Sequence, residues 1–259
     1  VTDKVCANVT MLPEANMTTW WPYARLAAAA LSLAAVIAQL SLTLQIAAAD
    51  TTPWGSHLPT VWWNFFSFFT IDSNILAAVV LITGAIWAIR HRRDSEPEPH
   101  WFAVLLVCAS TYMIVTGIVY NTLLRGYALP QGSTVPWSNE VLHVVFPIVL
   151  LLDVLLAPRR RALPWSTIFI AAIFPIVWAV YTMIRANLVI APATGDAWWY
   201  PYPFLNPNIV PGGYLGVSGY IIGIAVAIIG VAALVVWVGR RRAASASSRS
   251  PFESRTVQK

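Results

Sequence analysis

The feature that most constrains this chain is a series of long stretches with no charged residue. Residues 26–49 and 101–124 each run for 24 positions without one, and residues 162–184 for 23. A helix needs about 20 mostly apolar residues to cross the hydrocarbon core of a bilayer, so each run has spanning length. Residues 197–239 are free of charge over 43 positions, but Pro201, Pro203, Pro207 and Pro211 interrupt the first part. Proline lacks the amide hydrogen a helix needs, so the spanning portion is residues 214–239. Two further runs reach spanning length once a few polar groups are admitted: residues 61–89 with Asp72, and residues 139–156 with Glu140, His143 and Asp153. The predicted fold is all-α, a polytopic bundle of six transmembrane helices. Composition agrees, because only 10% of the residues are charged against roughly 25% in an average soluble domain. That shortage excludes a soluble globular enzyme, a disordered chain and a nucleic-acid binder.

The bases set the expected orientation. Fourteen of the sixteen Lys and Arg residues precede span one or follow spans two, four and six: Lys4, Arg25, Arg90, Arg92, Arg93, Arg159, Arg160, Arg161, Arg240, Arg241, Arg242, Arg249, Arg255 and Lys259. Only Arg125 and Arg185 fall on the opposite side. Positive loops stay cytoplasmic, so both termini are expected inside. The expected organisation is a cytoplasmic segment over residues 1–23, a membrane domain over 24–239 and a basic cytoplasmic tail over 240–259. From Ala243 that tail reads as disordered, with its arginines able to touch anionic lipid.

Tryptophans mark both interfaces, with Trp20, Trp21, Trp101, Trp165 and Trp237 on one side and Trp54, Trp62, Trp63, Trp137, Trp198 and Trp199 on the other. The start of the chain lacks the basic segment and short apolar stretch of a cleaved signal peptide. Cys6 and Cys108 are expected on different levels and unpaired. The Asn8 and Asn16 glycosylation sequons are expected on the cytoplasmic side and carry no weight. No internal repeat is evident, and Gly219 with Gly223 reads as a helix-packing step.

Polar groups within a bilayer are costly and need partners. Here they gather towards the outer face. At 1.5 Å per residue, Thr70 lies about 12 Å below Trp62, and His143 about 8 Å below Ser138. Asn121 and Arg125 end span three, Tyr181 and Arg185 end span five, and Glu140 opens span four. Spacing of three and four places Ser67, Thr70 and Asn74 on one face, Asn121 with Arg125 on another, and Glu140, His143 and Pro147 on a third. A threonine hydroxyl facing an imidazole is a nucleophile–base arrangement, because the hydroxyl is inert until a positioned base takes its proton. Asn74 is a candidate oxyanion donor, and Arg125 or Arg185 a candidate holder of a carboxylate or developing charge. Glu140 is a candidate orienting acid. Ordinary roles compete: a membrane threonine commonly bonds its own i−4 carbonyl, and the two arginines can simply anchor to phosphates. Asp153 is expected to snorkel to Arg159–Arg161. His57, His91 and His100 lie in loops, so no metal site and no cofactor are implied.

Three blocks occur in order: Trp63-Asn64-Phe65-Phe66-Ser67-Phe68-Phe69-Thr70 with Asn74, Leu142-His143 followed by Pro147, and Trp199-Tyr200-Pro201-Tyr202-Pro203-Phe204-Leu205. On a six-span scaffold, this set resembles the androgen-induced-gene family of multipass membrane threonine hydrolases and its bacterial relatives. Animal members hydrolyse fatty acid esters of hydroxy fatty acids with one intramembrane Thr and one intramembrane His. The resemblance implies Thr70 as nucleophile and His143 as its partner, with a lipid substrate drawn from the bilayer. The sequence-level expectation is therefore an intramembrane lipid-ester hydrolase acting near the outer leaflet. Its rival is a transporter or lipid-binding protein in which the same polar cluster forms an outward vestibule.

Overall fold

A computed structural model describes residues 2–93, 96–127 and 132–249, with side chains described over 17–93, 96–127 and 132–245. These residues are helical, with no strand among them. The helices are α1 (Thr2–Ala49), α2 (Leu58–Phe65), α3 (Phe69–Arg90), α4 (His100–Val119), α5 (Pro136–Glu140), α6 (Phe146–Leu156), α7 (Thr167–Ala186) and α8 (Tyr214–Arg249). Six segments are long and apolar enough to cross a membrane: Met17–Ala49, Phe69–Arg90, His100–Leu124, Pro136–Leu156, Thr167–Ala186 and Tyr214–Ser245. The chain has the architecture of an integral multi-pass membrane protein. Its central helices α3 and α4 pack side by side through Ala77, Ala78, Leu81, Phe102, Leu106 and Met113, with α1 and α6 adding Ala29 and Leu150.

Three boundaries depart from the expectation. The second span is not one helix. It breaks between Phe65 and Phe69, where Phe68 is extended, and the new helix starts on hydrogen bonds from Ile71 and Asp72 N–H to the Phe68 carbonyl. The Trp178 indole N–H on α7 takes the Ser67 carbonyl at 3.1 Å, which satisfies one acceptor the break releases. Thr70 therefore stands in the first turn of α3, and a depth counted along a straight helix from Trp62 does not apply. At its end, α8 continues past residue 239 to Arg249, so the stretch after Ala243 begins as helix; residues 250–259 lie outside the described residues. The helix of span one starts at Thr2 and includes much of the segment assigned to a separate cytoplasmic piece.

Spans three and four each contain one π turn at the same end of the bundle, over Tyr120–Leu124 and Val141–Val145. Pro147 accounts for part of the second. It cannot donate to the carbonyl of His143 four residues earlier, so that carbonyl is left open, and Asn121 Nδ2 donates to it at 3.3 Å. The two helices approach closely here. A Cβ on Gly117 would lie 2.9 Å from the Pro147 side chain, so only glycine fits.

The opposite end holds a buried ionic network where a snorkelling pair was expected. Asp153 is 1% exposed and receives Arg25 Nε at 2.7 Å, Arg25 Nη2 at 3.0 Å, Trp21 Nε1 at 2.7 Å and Arg160 Nη2 at 2.6 Å. Arg160 also pairs with Glu98 at 3.5 Å. Paired on every side, the carboxylate sits inside the bundle and joins α1, α6 and the loop before α4. Arg159 donates to the His91 carbonyl at 2.7 Å, Arg240 to that of Leu163 at 3.0 Å and Arg242 to that of Val154 at 3.1 Å. The basic clusters thus close open carbonyls at this end, a stabilising arrangement near helix C-termini.

Cys108 is buried and free. Cys6, Asn8 and Asn16 fall among residues whose side chains are not described. The Gly219–Gly223 step, expected to pack against another helix, meets nothing within 4 Å of an added Cβ and faces out of the bundle.

Candidate functional site

Thr70 is 6% exposed and 9% of Tyr202 is accessible, so the two hydroxyls meet in a shielded place. The Thr70 N–H donates to the Tyr202 phenol oxygen at 3.1 Å, and the Thr70 Oγ1 lies 3.2 Å from it. The first N–H groups of any helix lack intrahelical acceptors, and the phenol supplies one. Burial pushes the Tyr202 phenol up to about 12, against the opposing pull of its hydrogen bonds to Thr70. It is a neutral O–H with a proton to share. Its position comes from the outer-loop segment Tyr200–Leu205, where Phe204 stacks on Tyr202 and Leu205 packs against α8 at Val217. Phe68, in the break before α3, meets Tyr202 edge-on at 5.6 Å.

A crevice of about 150 Å³, partly open to the surroundings, lies beside this pair. Phe69, Val119, Trp178, Ala179, Ile224 and Ala225 form much of its wall, from α3, α4, α7 and α8. Its few hydroxyls belong to Thr70, Thr116, Tyr120 and Tyr202. Such a space takes a hydrocarbon chain and offers little to a polar solute.

His143 lies in the π turn of span four. Its ring stacks on Tyr120 at a centroid distance of 4.0 Å, and Tyr120 in turn lines the crevice. His143 Nδ1 lies 2.9 Å from the Asn139 carbonyl oxygen. A carbonyl only accepts, so Nδ1 carries the hydrogen, and in the neutral ring Nε2 is left with the lone pair. No hydrogen bond joins Thr70 to His143; Thr70 is engaged by Tyr202, and Tyr120 stands between the crevice and the imidazole. Asn139 also donates to the Tyr120 hydroxyl, so one residue holds both rings.

The remaining candidates separate. Asn74 is fully buried. Its Nδ2 donates to the Thr70 carbonyl at 2.8 Å and the Leu142 carbonyl at 3.3 Å, and its Oδ1 accepts from Ser32 at 3.0 Å. Both amide hydrogens are used, so Asn74 ties α1, α3 and span four together and has none left for an oxyanion. Ser67, expected on one face with Thr70, lies across the helix break and bonds the Trp63 carbonyl and Tyr181. Glu140 pairs with Arg125 at 2.8 Å on the exposed surface, and Arg125 also donates to Asn121 Oδ1 at 2.8 Å. This chain touches His143 only through the Asn121 bond to its backbone carbonyl. The imidazole is held by a main-chain oxygen, and Glu140, the candidate orienting acid, makes no hydrogen bond to it among those described. Arg185 is elsewhere, donating to Asn64 Oδ1 at 2.7 Å with its guanidinium 5.5 Å from the Trp199 ring centre.

The sequence motif gives Tyr202 no role at the site, and residue spacing does not single out Tyr120 or Asn139. The Tyr-Pro-Phe pattern of the loop was the available signal for Tyr202. The π turns that bring Tyr120 over His143 leave no periodicity to read. Among the described residues no group of three or more His, Cys, Asp or Glu side chains comes together as a metal site. Compared with known proteins, the chain matches no family model, no curated protein and no solved structure.

Proposed function

We propose that this protein is an intramembrane hydrolase of fatty-acyl esters, with Thr70 as nucleophile and His143 as general base. The observation that carries the reading is the position of the Thr70 hydroxyl at the polar edge of an otherwise apolar crevice. An acyl chain lying among α4, α7 and α8 would bring its ester carbonyl to that edge. The likeness to the androgen-induced-gene hydrolases, carried by Thr70, His143 and the Tyr202 loop, supports the same chemistry. The excess of bases at the Asp153 end supports an orientation with that end cytoplasmic and the ester site towards the outer leaflet of a bacterial plasma membrane.

In this reading the ester turns the Thr70 hydroxyl away from Tyr202, and the Tyr120 ring swings aside to open the crevice to His143. Thr70 Oγ1 attacks the carbonyl carbon, and its proton passes to His143 Nε2. The Tyr202 O–H donates to the carbonyl oxygen as it becomes an oxyanion. The ester C–O bond then breaks, and the proton on His143 leaves with the alcohol. Water attacks the acyl-threonine, giving its proton to His143, and the carboxylic acid departs while Thr70 regains its hydrogen. The Asn139 carbonyl keeps Nδ1 protonated throughout, so Nε2 is the nitrogen that cycles.

The test is ester hydrolysis by the purified full chain in lipid nanodiscs, using a fatty acid ester of a hydroxy fatty acid. The wild type releases free acid, and Thr70→Ala and His143→Ala each lose that release while remaining folded by circular dichroism. Full hydrolysis by both variants overturns the reading. Uptake of a lipid or solute that survives Thr70→Ala, without hydrolysis by the wild type, favours the transporter class instead.

A further inference from the structure

Arg125 and Arg185 are the two bases at the Thr70 end, and they are not equivalent. Arg125 is neutralised by Glu140 at 2.8 Å. Arg185 has no carboxylate partner among the described residues. Its recorded polar partner is Asn64 Oδ1, at 2.7 Å. Because an arginine only donates, that bond fixes the Asn64 amide with its oxygen towards Arg185 and its Nδ2 as a donor. Asn64 is 5% exposed, and Nδ2 has no hydrogen-bond partner. Thr182, one turn before Arg185 on α7, is 4% exposed, and its hydroxyl is also unpartnered. Buried donors left open are costly, so two of them beside an uncompensated guanidinium call for an acceptor.

The position of this group relative to the crevice identifies what that acceptor belongs to. Trp178, Thr182 and Arg185 follow at four and three residues, so they share one face of α7. Trp178 lines the crevice, and Arg185 is seven residues further on, about 10 Å along the axis. Trp199 carries the guanidinium on its ring and meets Phe68, which meets Tyr202. The open donors therefore stand beyond the polar edge of the crevice, on the side where an acyl lipid would carry its head.

We propose that Arg185, Asn64 and Thr182 form an anion site for the carboxylate or phosphate of the lipid whose chain occupies the crevice. The proposal rests on the hydrolase reading for the lipid's ester, but binding alone suffices to test it. Arg185 is then a specificity residue: it selects acidic lipids and registers the chain along α7. The guanidinium offers several donors to one anion, and a small shift of the buried Asn64 and Thr182 side chains would add theirs, an arrangement that favours carboxylate and phosphate over neutral heads.

The experiment measures quenching of tryptophan fluorescence in the purified full chain, in neutral-detergent micelles, by three brominated probes. These are dibromostearic acid, its methyl ester and a lysophosphatidate with the same brominated chain. Wild type and Thr70→Ala are compared, so that turnover does not enter. The free acid or the phosphate is expected to bind about tenfold more tightly than the methyl ester, the size of one charge-assisted hydrogen bond. The tighter of the two names the headgroup. Arg185→Gln abolishes the preference, and Arg185→Lys keeps part of it. Equal binding of all three probes to the wild type, or a preference that persists in Arg185→Gln, overturns the proposal, and the wild-type comparison stands even if the variant does not fold. A protein that prefers the acidic probes yet hydrolyses no ester retains this site and loses the hydrolase reading. One that hydrolyses esters without any such preference retains the hydrolase reading and loses this site.

Discussion

The hydroxyl of Tyr202 lies 3.2 Å from that of Thr70 and accepts the Thr70 N–H at 3.1 Å, although the two residues are 132 positions apart. The loop before α8 thereby closes the first turn of α3. Tyr202→Phe keeps the ring stacked with Phe204 and Phe68 but removes the acceptor. A buried N–H left unpaired costs about 1–3 kcal/mol, so the thermal midpoint of the purified protein should fall. If the phenol also donates to the oxyanion, kcat should drop by about 10²-fold with KM little changed. An unchanged midpoint and an unchanged kcat would show that the pair does neither.

Glu140 provides a contrast within the same end of the bundle. Its bond to Arg125 is exposed, and solvent screening leaves such a pair little weight. With His143 Nδ1 held by the Asn139 carbonyl, Glu140→Gln should leave the hydrolysis rate close to that of the wild type. A loss of about 10⁴-fold in kcat, the size seen when the orienting carboxylate of a hydrolytic triad becomes an amide, would make Glu140 the third member of the site after all.

The Asp153 network should behave differently from that surface pair. Asp153→Leu leaves Arg25 buried without its carboxylate partner and Arg160 with Glu98 alone, and breaking a buried pair on one side costs about 3–5 kcal/mol. The thermal midpoint should fall well below that of Glu140→Gln, and replacing Arg25 by Met in the same protein should recover part of the loss. A midpoint equal to that of the wild type would mean that the network is solvated.

The crevice sets a length limit on the acyl chain. Ala179 and Ala225 stand on its wall from facing helices. Ala225→Phe should cut turnover of long-chain esters while sparing short ones, read from a series of 4-nitrophenyl esters of rising chain length. A uniform loss across the series would place the chain elsewhere.

Six spans were legible because each is a long run of apolar residues, and a bilayer tolerates no other continuous structure at that length. The break before Phe69 was not legible. No proline or glycine marks it, and what supports it is a tertiary bond from Trp178 to the Ser67 carbonyl, more than a hundred residues away. The pairing of Thr70 with Tyr202 escaped for the same reason, since loop residues carry no period that fixes their depth. Asp153 was matched to the arginines near it in sequence, and one of them, Arg160, does reach it. Its bidentate partner Arg25 lies 128 positions away, on a helix that sequence spacing could not place beside α6. Arg125 and Arg185 looked alike in the sequence and separated only when Glu140 proved to lie against one of them.

Thr70 Oγ1 is the atom expected to be acylated during turnover. The direct measurement is intact-mass and peptide mass spectrometry of the purified protein after reaction with an alkyl fluorophosphonate. One adduct is expected, on the peptide containing Thr70, absent in Thr70→Ala and strongly slowed in His143→Ala. An adduct on another residue, or undiminished labelling of Thr70→Ala, would contradict it.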